Sequence, residues 1–140
     1  MSIMSSTNSG QKGIKEQIER WLSKWKISKY ELKPVDSYPF FIIDVRDANV
    51  LLSDYPAEAL PDYIVFNEII GGSFVASFSH FTTMKGFPRK VGKNFDISFS
   101  DITSLDGAPE LVDMHFSSCG LHFTKEQIRE KTKVTCQIFC

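Results

Sequence analysis

The sequence predicts an α+β fold: a short β-solenoid of about three to four units, with a helix cap at the N-terminal end and a helix-strand cap at the C-terminal end. Three observations support it. A segment is nearly repeated 21 residues further on, an amphipathic helical pattern precedes the repeats, and a helix-capping signal with an alternating segment follows them. A chain of 140 residues is long enough for one domain with a substantial core.

The repeat occupies residues 71–88 and 92–109. The matching positions are Phe74 with Phe95, Ser77 with Ser98, Phe78 with Phe99, and Gly86-x-Pro88 with Gly107-x-Pro109. A period of about 20 to 29 residues, with one strand and one turn per unit, is typical of a leucine-rich-repeat-like solenoid. Residues 50–70 are interpreted as a degenerate first repeat. Such units stack to form a binding surface, so the repeat points first to interaction rather than catalysis.

Alternation within each unit predicts which side chains form the core. Phe95 and Ile97 alternate with Asp96 and Ser98, so a short strand should turn the two apolar residues inward. Ile102 and Leu105 add inward groups from the returning turn. The same roles in the preceding unit belong to Phe74, Ala76, Phe81 and Met84.

The third unit has two possible registers. Either Met114 aligns with Phe95 after a two-residue deletion, or Phe116 aligns with Phe95 at the unbroken period, which places Cys119 on Ser98. We favour the first, because Leu121 then takes the core position of Ile102.

The outward strand positions form three predicted rows. These are Leu51, Val75, Asp96 and His115; Ser53, Ser77, Ser98 and Ser117; and Asp54, Phe78, Phe99 and Ser118. Two neighbouring exposed aromatics are a typical interaction hot spot. Two alternatives remain open: a cap covers Phe78 and Phe99, or both turn inward at a bend. The predicted binding residues are Phe78, Phe99, Val75, Asp96, His115, Asp54, Ser77 and Ser98.

The N-terminal third predicts a cap. Residues 1–11 are polar and Ser-rich, and we expect a disordered tail. Apolar residues at helical spacing then predict a helix of about 13 residues, which should pack on the open end of the solenoid: Ile14, Ile18, Trp21, Leu22 and Trp25. The alternative role for this helix is partner binding. Residues 30–32 and 40–45 read as strands of a hairpin. The cap spans 12–48 and the repeats span 49–121.

Residues 122–140 predict the second cap. Thr124 is a candidate N-cap with Gln127 three residues later, so residues 125–131 should form a short helix with a capping box. Residues 134–139 alternate in the manner of a strand. Terminal units of a solenoid must cover an otherwise open apolar core, which this helix and strand would do.

Composition and charge weigh against several classes of function. Sixteen Lys and Arg against 17 Asp and Glu leave no global field for nucleic acid. No apolar run is long enough to span a bilayer, and the N-terminus lacks a secretory pattern. Three cysteines without such a signal suggest reduced thiols in a cytoplasm. Cys136 and Cys140 with the three histidines match no ligand spacing, so neither a metal nor another cofactor is expected.

The repeat motif resembles that of short leucine-rich-repeat-like proteins of tailed bacteriophages and bacteria, whose unit reads Gly-Gly-x-Phe-x-Cys-Ser-x-Asn-x-Leu-Thr-Ser-Leu-x-Gly-x-Pro. Residues 92–109 carry it, and residues 27–30 and 123–129 resemble the family's flanks, so the likeness spans about 14–140. Ser79 and Ser100 replace the family's ladder asparagine, which predicts a weaker turn ladder. Ala76 and Ile97 replace its Cys or Leu.

The resemblance implies a non-enzymatic protein-interaction module: a phage-encoded protein that binds and inhibits a host protein in the host cytoplasm. A self-associating structural protein, active as a homodimer, is the main alternative. Nucleic-acid binding rests on Lys85, Arg89, Lys90 and Lys93 and is disfavoured. An enzyme would need Asp96, His115 and Ser98 to converge, and a regular strand face offers them no pocket that excludes water.

Overall fold

The computed structural model describes residues 2–140, with side chains from Gly10 onward; Met1, in the predicted tail, lies outside the described residues. Helix α1 spans Ser2–Lys24, so it runs back through the rest of the predicted tail and is 23 residues long rather than about 13. Strands β1 (Tyr30–Pro34) and β2 (Phe41–Arg46) pair antiparallel, which confirms the predicted hairpin.

A parallel β-solenoid follows, which confirms the predicted fold class. Its strands after β2 are β3 (Val50–Leu51), β4 (Phe66–Ile70), β5 (Phe74–Val75), β6 (Lys90–Val91), β7 (Phe95–Asp96), β8 (Leu111–Val112), β9 (Phe116–Ser117), β10 (Lys133–Val134) and β11 (Ile138–Phe139). The first sheet has the order β1-β2-β4-β6-β8-β10, and the second sheet β11-β9-β7-β5-β3. Five rungs are therefore joined by four turns.

Each rung contributes one short strand to each sheet, whereas the sequence predicted one strand per unit. The missed strands include β6 and β8, which are two residues long. Unlike β7, these strands do not open an alternating segment that a pattern could reveal. The sharp bend between the two strands of a rung passes through the segment around Gly72 in one unit and Gly92 in the next.

The core between the sheets is a column of phenylalanine rings. Phe95 lies 5.8 Å from Phe74 and 5.0 Å from Phe116, measured between ring centroids, and all three are fully buried. The predicted inward residues of both good repeats are buried, apart from Leu105, which is partly exposed. The inward alternation read from the sequence is therefore confirmed.

The favoured register of the third unit is wrong. Phe116 pairs with Phe95 and Ser117 with Asp96, so the 21-residue period continues unbroken. Phe116 fills the core position, and Met114 lies exposed at the bend before the strand. The favoured register rested on Leu121 as a core residue, and this side chain is only partly buried. The ring column and the backbone pairing of the whole rung favour the other register.

The C-terminal cap is correct in its helix and wrong in its strand. Helix α2 (Lys125–Lys131) begins with the capping box: the Gln127 N–H donates to Thr124 Oγ1, and the Thr124 N–H donates to Gln127 Oε1. The predicted single strand divides into β10 and β11, which join different sheets. Its alternation marks one more rung of the solenoid.

Helix α1 packs against the first rungs, as predicted. Ile18 and Leu22 are fully buried, and the Trp21 ring lies 6.1 Å from Phe66 of β4. Tyr55 continues this aromatic cluster, since its ring stacks on Phe81 at 4.5 Å. The helix therefore closes the N-terminal end of the core.

One carboxylate is buried on the first sheet. Asp44 of β2 has no exposed surface; its Oδ1 accepts a hydrogen bond from Asn67 at 2.9 Å, and Lys33 Nζ lies 2.8 Å from its Oδ2. Oδ2 has no other partner among the described residues. Burial alone would raise the pKa of Asp44, but the hydrogen bonds from Lys33 and Asn67 outweigh it and lower the pKa below its usual value.

This carboxylate should make stability depend on acid pH. Because the folded-state pKa of Asp44 is lowered, its contribution is present above the unfolded value near about 3.9 and is lost as pH falls through the folded pKa. We expect Asp44→Asn to lower the free energy of unfolding by about 1 to 3 kcal/mol at pH 7, and by less at pH 3. Urea unfolding at both pH values measures this; an equal loss at both would contradict it.

Candidate interaction surface

The outward face of the second sheet carries the predicted surface, with its rows revised by the register. Strand pairing places Leu51, Val75, Asp96, Ser117 and Phe139 in one row. His115, Ser117 and Ser118 are therefore not members of the rows predicted for them. Leu51 and Phe139 are exposed, and Val75 and Asp96 are partly exposed.

Phe78 and Phe99, the aromatic pair, are exposed and stacked. Their side chains are 62% and 53% exposed, and their ring centroids lie 5.0 Å apart at an interplanar angle of 16°. Neither cap covers them, and neither turns inward. The predicted exposure of the aromatic pair is therefore confirmed, and both alternatives to it are wrong.

The aromatic pair lies at the corner after the second sheet, not on the strands themselves. Phe78 and Phe99 have φ values of 53° and 57°, in the left-handed region. Asp54 and Gly120 hold the same place in neighbouring rungs, with φ of 62° and 81°. A Cβ on Gly120 would lie 2.6 Å from Phe99 Cδ1, so the Phe99 ring rests directly over this glycine.

This backbone conformation is unfavourable for phenylalanine. The left-handed region costs a residue with a Cβ about 1 kcal/mol or more, and bulky side chains rarely occupy it. Sequence reasoning missed the strained corner. The sequence did contain a signal for this corner, because Asp and Gly, two residues that tolerate positive φ, occupy the equivalent positions 54 and 120.

The predicted serine row is largely structural. Ser77 and Ser98 are buried, although both were predicted as outward binding residues. Ser77 Oγ lies 3.1 Å from Ser53 Oγ, and Ser98 Oγ accepts the Cys119 N–H at 3.0 Å. Through these contacts the two small side chains hold adjacent rungs together.

His115 belongs to a ladder at the opposite corner of the second sheet. Its Nδ1 accepts the Gln137 N–H at 3.2 Å, and its own N–H donates to Asn94 Oδ1 at 3.1 Å. Asn94 N–H in turn donates to Ser73 Oγ at 3.0 Å, and Ser73 N–H to Asn49 Oδ1 at 2.9 Å. Four side chains thus each accept a hydrogen bond from a backbone N–H of the next rung. Sequence reasoning did not assign this role.

The serines that replace the expected ladder asparagine act locally instead. Ser79 Oγ donates to Ala76 O at 2.8 Å, and Ser100 Oγ donates to Ile97 O at 2.7 Å. Both bonds close the corner within one rung. The Asp96 carboxylate also acts locally, since its Oδ1 accepts the Ser98 N–H at 2.8 Å.

A shallow depression of about 320 Å³ adjoins the aromatic pair. Residues 100–103 and 120–123 line it, so it lies between two successive turns of the chain, just beyond the corner. His80 Nδ1 lies 3.7 Å from Asp101 Oδ2 at its rim, and both side chains are well exposed. This exposed acid–imidazole pair gives the corner a polar border.

Residues 2–140 carry neither a metal-ligand cluster nor a membrane-spanning helix. No group of three or more His, Cys, Asp or Glu side chains is placed to hold a metal ion there. None of the helices in that part of the chain is long and apolar enough to cross a membrane.

The fold and this surface together define a class of protein: a short parallel β-solenoid with an exposed pair of stacked aromatics at an outer corner. Comparison with known proteins adds no name to that class, since no protein-family model, curated protein or solved structure matches the chain.

Proposed function

We propose that this protein is a non-enzymatic protein-interaction module and that the aromatic pair is the centre of its contact surface. The observation that carries the proposal is the exposure of two stacked phenylalanines in a backbone conformation that disfavours them. Strained residues of this kind cluster at functional sites, because the surrounding structure must maintain them against their own preference.

The neighbourhood of the aromatic pair suits a protein contact. Exposed Leu51 and partly exposed Val75 extend its apolar surface across the second sheet. Buried aromatic anchors dominate the binding energy of protein interfaces. Each ring of the pair is held by its neighbour, which limits the rotamer entropy lost on binding.

The resemblance to phage repeat proteins extends the proposal to a biological setting. In that setting the protein is phage-encoded, acts in the host cytoplasm, and inhibits the host protein that it binds. The support for this step is the repeat motif of residues 92–109 with its flanks, and nothing in the geometry of the site adds to it.

Replacing the aromatic pair should weaken binding strongly and preserve the fold. Asn tolerates positive φ, so Phe78→Asn/Phe99→Asn removes both rings without adding backbone strain. Loss of a hot spot worth about 2 kcal/mol lowers affinity roughly 30-fold. Affinity capture from lysate with quantitative mass spectrometry, followed by titration of each captured protein, measures the effect.

The matched control is Met114→Asn, which removes an exposed apolar side chain at the opposite corner of the same sheet. Thermal unfolding of all three proteins verifies that each is folded. The proposal fails if the double variant is folded and captures the same proteins with unchanged affinity, or if Met114→Asn reduces binding as strongly.

A further inference from the structure

The face that carries the aromatic pair is acidic. The second strand of each of the first four rungs, with the corner that follows it, lies within residues 49–59, 73–84, 94–105 and 115–124. These four segments contain no Lys or Arg and hold four carboxylates: Asp54, Glu58, Asp96 and Asp101. Asp96 is partly exposed and the other three are exposed. This surface is therefore negatively charged, although the whole chain is nearly neutral.

The four basic residues of the repeats lie outside these segments, and two of them, Arg89 and Lys90, are paired with acids. On and beside the first sheet, Arg89 Nη2 contacts Glu110 at 3.2 Å, and Lys90 Nζ lies 3.9 Å from Glu68. Two basic residues on and beside the first sheet thus have acidic partners, whereas among the described residues the carboxylates around the aromatic pair have no cationic partner other than His80. A partner that complements this face must supply positive charge.

Phe78 has one ring face free of other rings, and it points along the solenoid toward the rung of Asp54. Its other face stacks on Phe99, which in turn covers Gly120, and no other aromatic ring packs on Phe78 among residues 10–140. Asp54 occupies the same corner one rung earlier, where its N–H donates to Ser77 O at 3.3 Å. Neighbouring parallel strands lie about 4.8 Å apart, so the free ring face looks toward the corner that Asp54 occupies.

An aromatic face beside a carboxylate is suited to arginine. The guanidinium group stacks on aromatic rings through its planar cation, and the same group donates charge-assisted hydrogen bonds to a carboxylate. Lysine offers a point charge without the planar stacking surface. The geometry of this corner therefore favours arginine over lysine.

We propose that the partner is a separate protein that presents a basic segment, with an arginine side chain seated on the free face of Phe78 beside Asp54. Further cationic groups of that segment face Glu58 and Asp101. This inference rests on the proposed interaction function and adds the chemistry of the partner to it.

The probes are three peptides of alternating glycine with arginine, lysine or citrulline, because citrulline keeps the shape of arginine without its charge. Titration into protein with ¹³C-labelled Phe rings, followed by NMR, should show the arginine peptide shifting the Phe78 signals. We expect binding about five-fold weaker for the lysine peptide, and no shift with citrulline. Asp54→Asn should weaken arginine-peptide binding about five-fold, whereas Asp113→Asn, at the opposite corner, should leave it unchanged.

Several outcomes would overturn the inference: no shift of the Phe78 signals with the arginine peptide, equal shifts with citrulline, or equal effects of Asp54→Asn and Asp113→Asn. A mass that doubles with protein concentration, and returns to monomer in Asp54→Asn, would identify a second copy as the occupant and would overturn the assignment to a separate protein.

The test also separates this inference from the proposed function. If a captured partner depends on the aromatic pair but binds equally well to Asp54→Asn and at high salt, the interaction function stands and the arginine assignment fails. If the arginine peptide binds as expected while the aromatic double variant still captures every partner, the proposed function fails instead.

Discussion

Phe95→Ala is expected to lower the free energy of unfolding by about 3 to 5 kcal/mol, which is a large part of the stability of a domain of this size. Phe95 is fully buried at the middle of the ring column, with Phe74 and Phe116 on either side at 5.8 and 5.0 Å. The rungs above and below are fixed by backbone pairing, so they cannot collapse into the cavity. The loss should therefore reach the upper part of the range for large-to-small changes.

Urea unfolding followed by circular dichroism measures this loss. Phe139→Ala is the matched control, because Phe139 lies on the outward face of the last rung and is exposed. That change should alter stability by less than about 1 kcal/mol. A similar small effect for Phe95→Ala would mean that the ring column is not the main source of stability.

The column was predictable from sequence because its period and its alternation coincide. Phe74 and Phe95 repeat at 21 residues, and Phe95 and Ile97 alternate with polar Asp96 and Ser98, so the period and the inward face could be read from the same segment. The helices were predictable for a similar reason. The apolar stripe of α1 and the capping box at Thr124 are local signals that need no knowledge of the fold.

The register of the third unit and the first strand of each repeat rung, which joins the first sheet, were not predictable in this way. Both depend on contacts between rungs. The acceptors at Asn94 and His115 select the register through hydrogen bonds to the next rung, and residue types as varied as Asn, Ser and His perform this role. A pattern search for one repeated residue type therefore overlooks the ladder.

The candidate surface was likewise predictable from the sequence only in part. The match of Phe78 with Phe99 identified the aromatic pair, and its exposure followed only from the corner geometry. The prediction of Ser77 and Ser98 as outward residues assumed a flat strand face. Ser77 and Ser98 follow strands of only two residues and are buried, so alternation alone does not separate exposed from buried positions there.

Gly72→Ala is expected to destabilise the protein by about 3 kcal/mol or more, through a backbone collision rather than a cavity. A Cβ at Gly72 would lie 1.9 Å from Ala48 O and 2.6 Å from Ala48 C. Both atoms belong to the backbone of the preceding rung, so no side chain can rotate away. The bend around Gly72 also lies between two inter-rung hydrogen bonds, from Asp47 N–H to Ile70 O at 2.8 Å and from Val50 N–H to Ser73 O at 2.8 Å.

To admit a methyl group there, the first rung must move away by more than an ångström, which breaks both hydrogen bonds. The first rung should therefore loosen first, with faster amide exchange at Asp47 and Val50 than at Phe95 and Phe116. Gly13→Ala is the control, since a Cβ at this helical glycine meets nothing within 4 Å and should raise stability by up to about 1 kcal/mol. Urea unfolding and amide exchange measure both variants. If Gly72→Ala proved as stable as Gly13→Ala, the close approach of the first two rungs at this bend would be wrong.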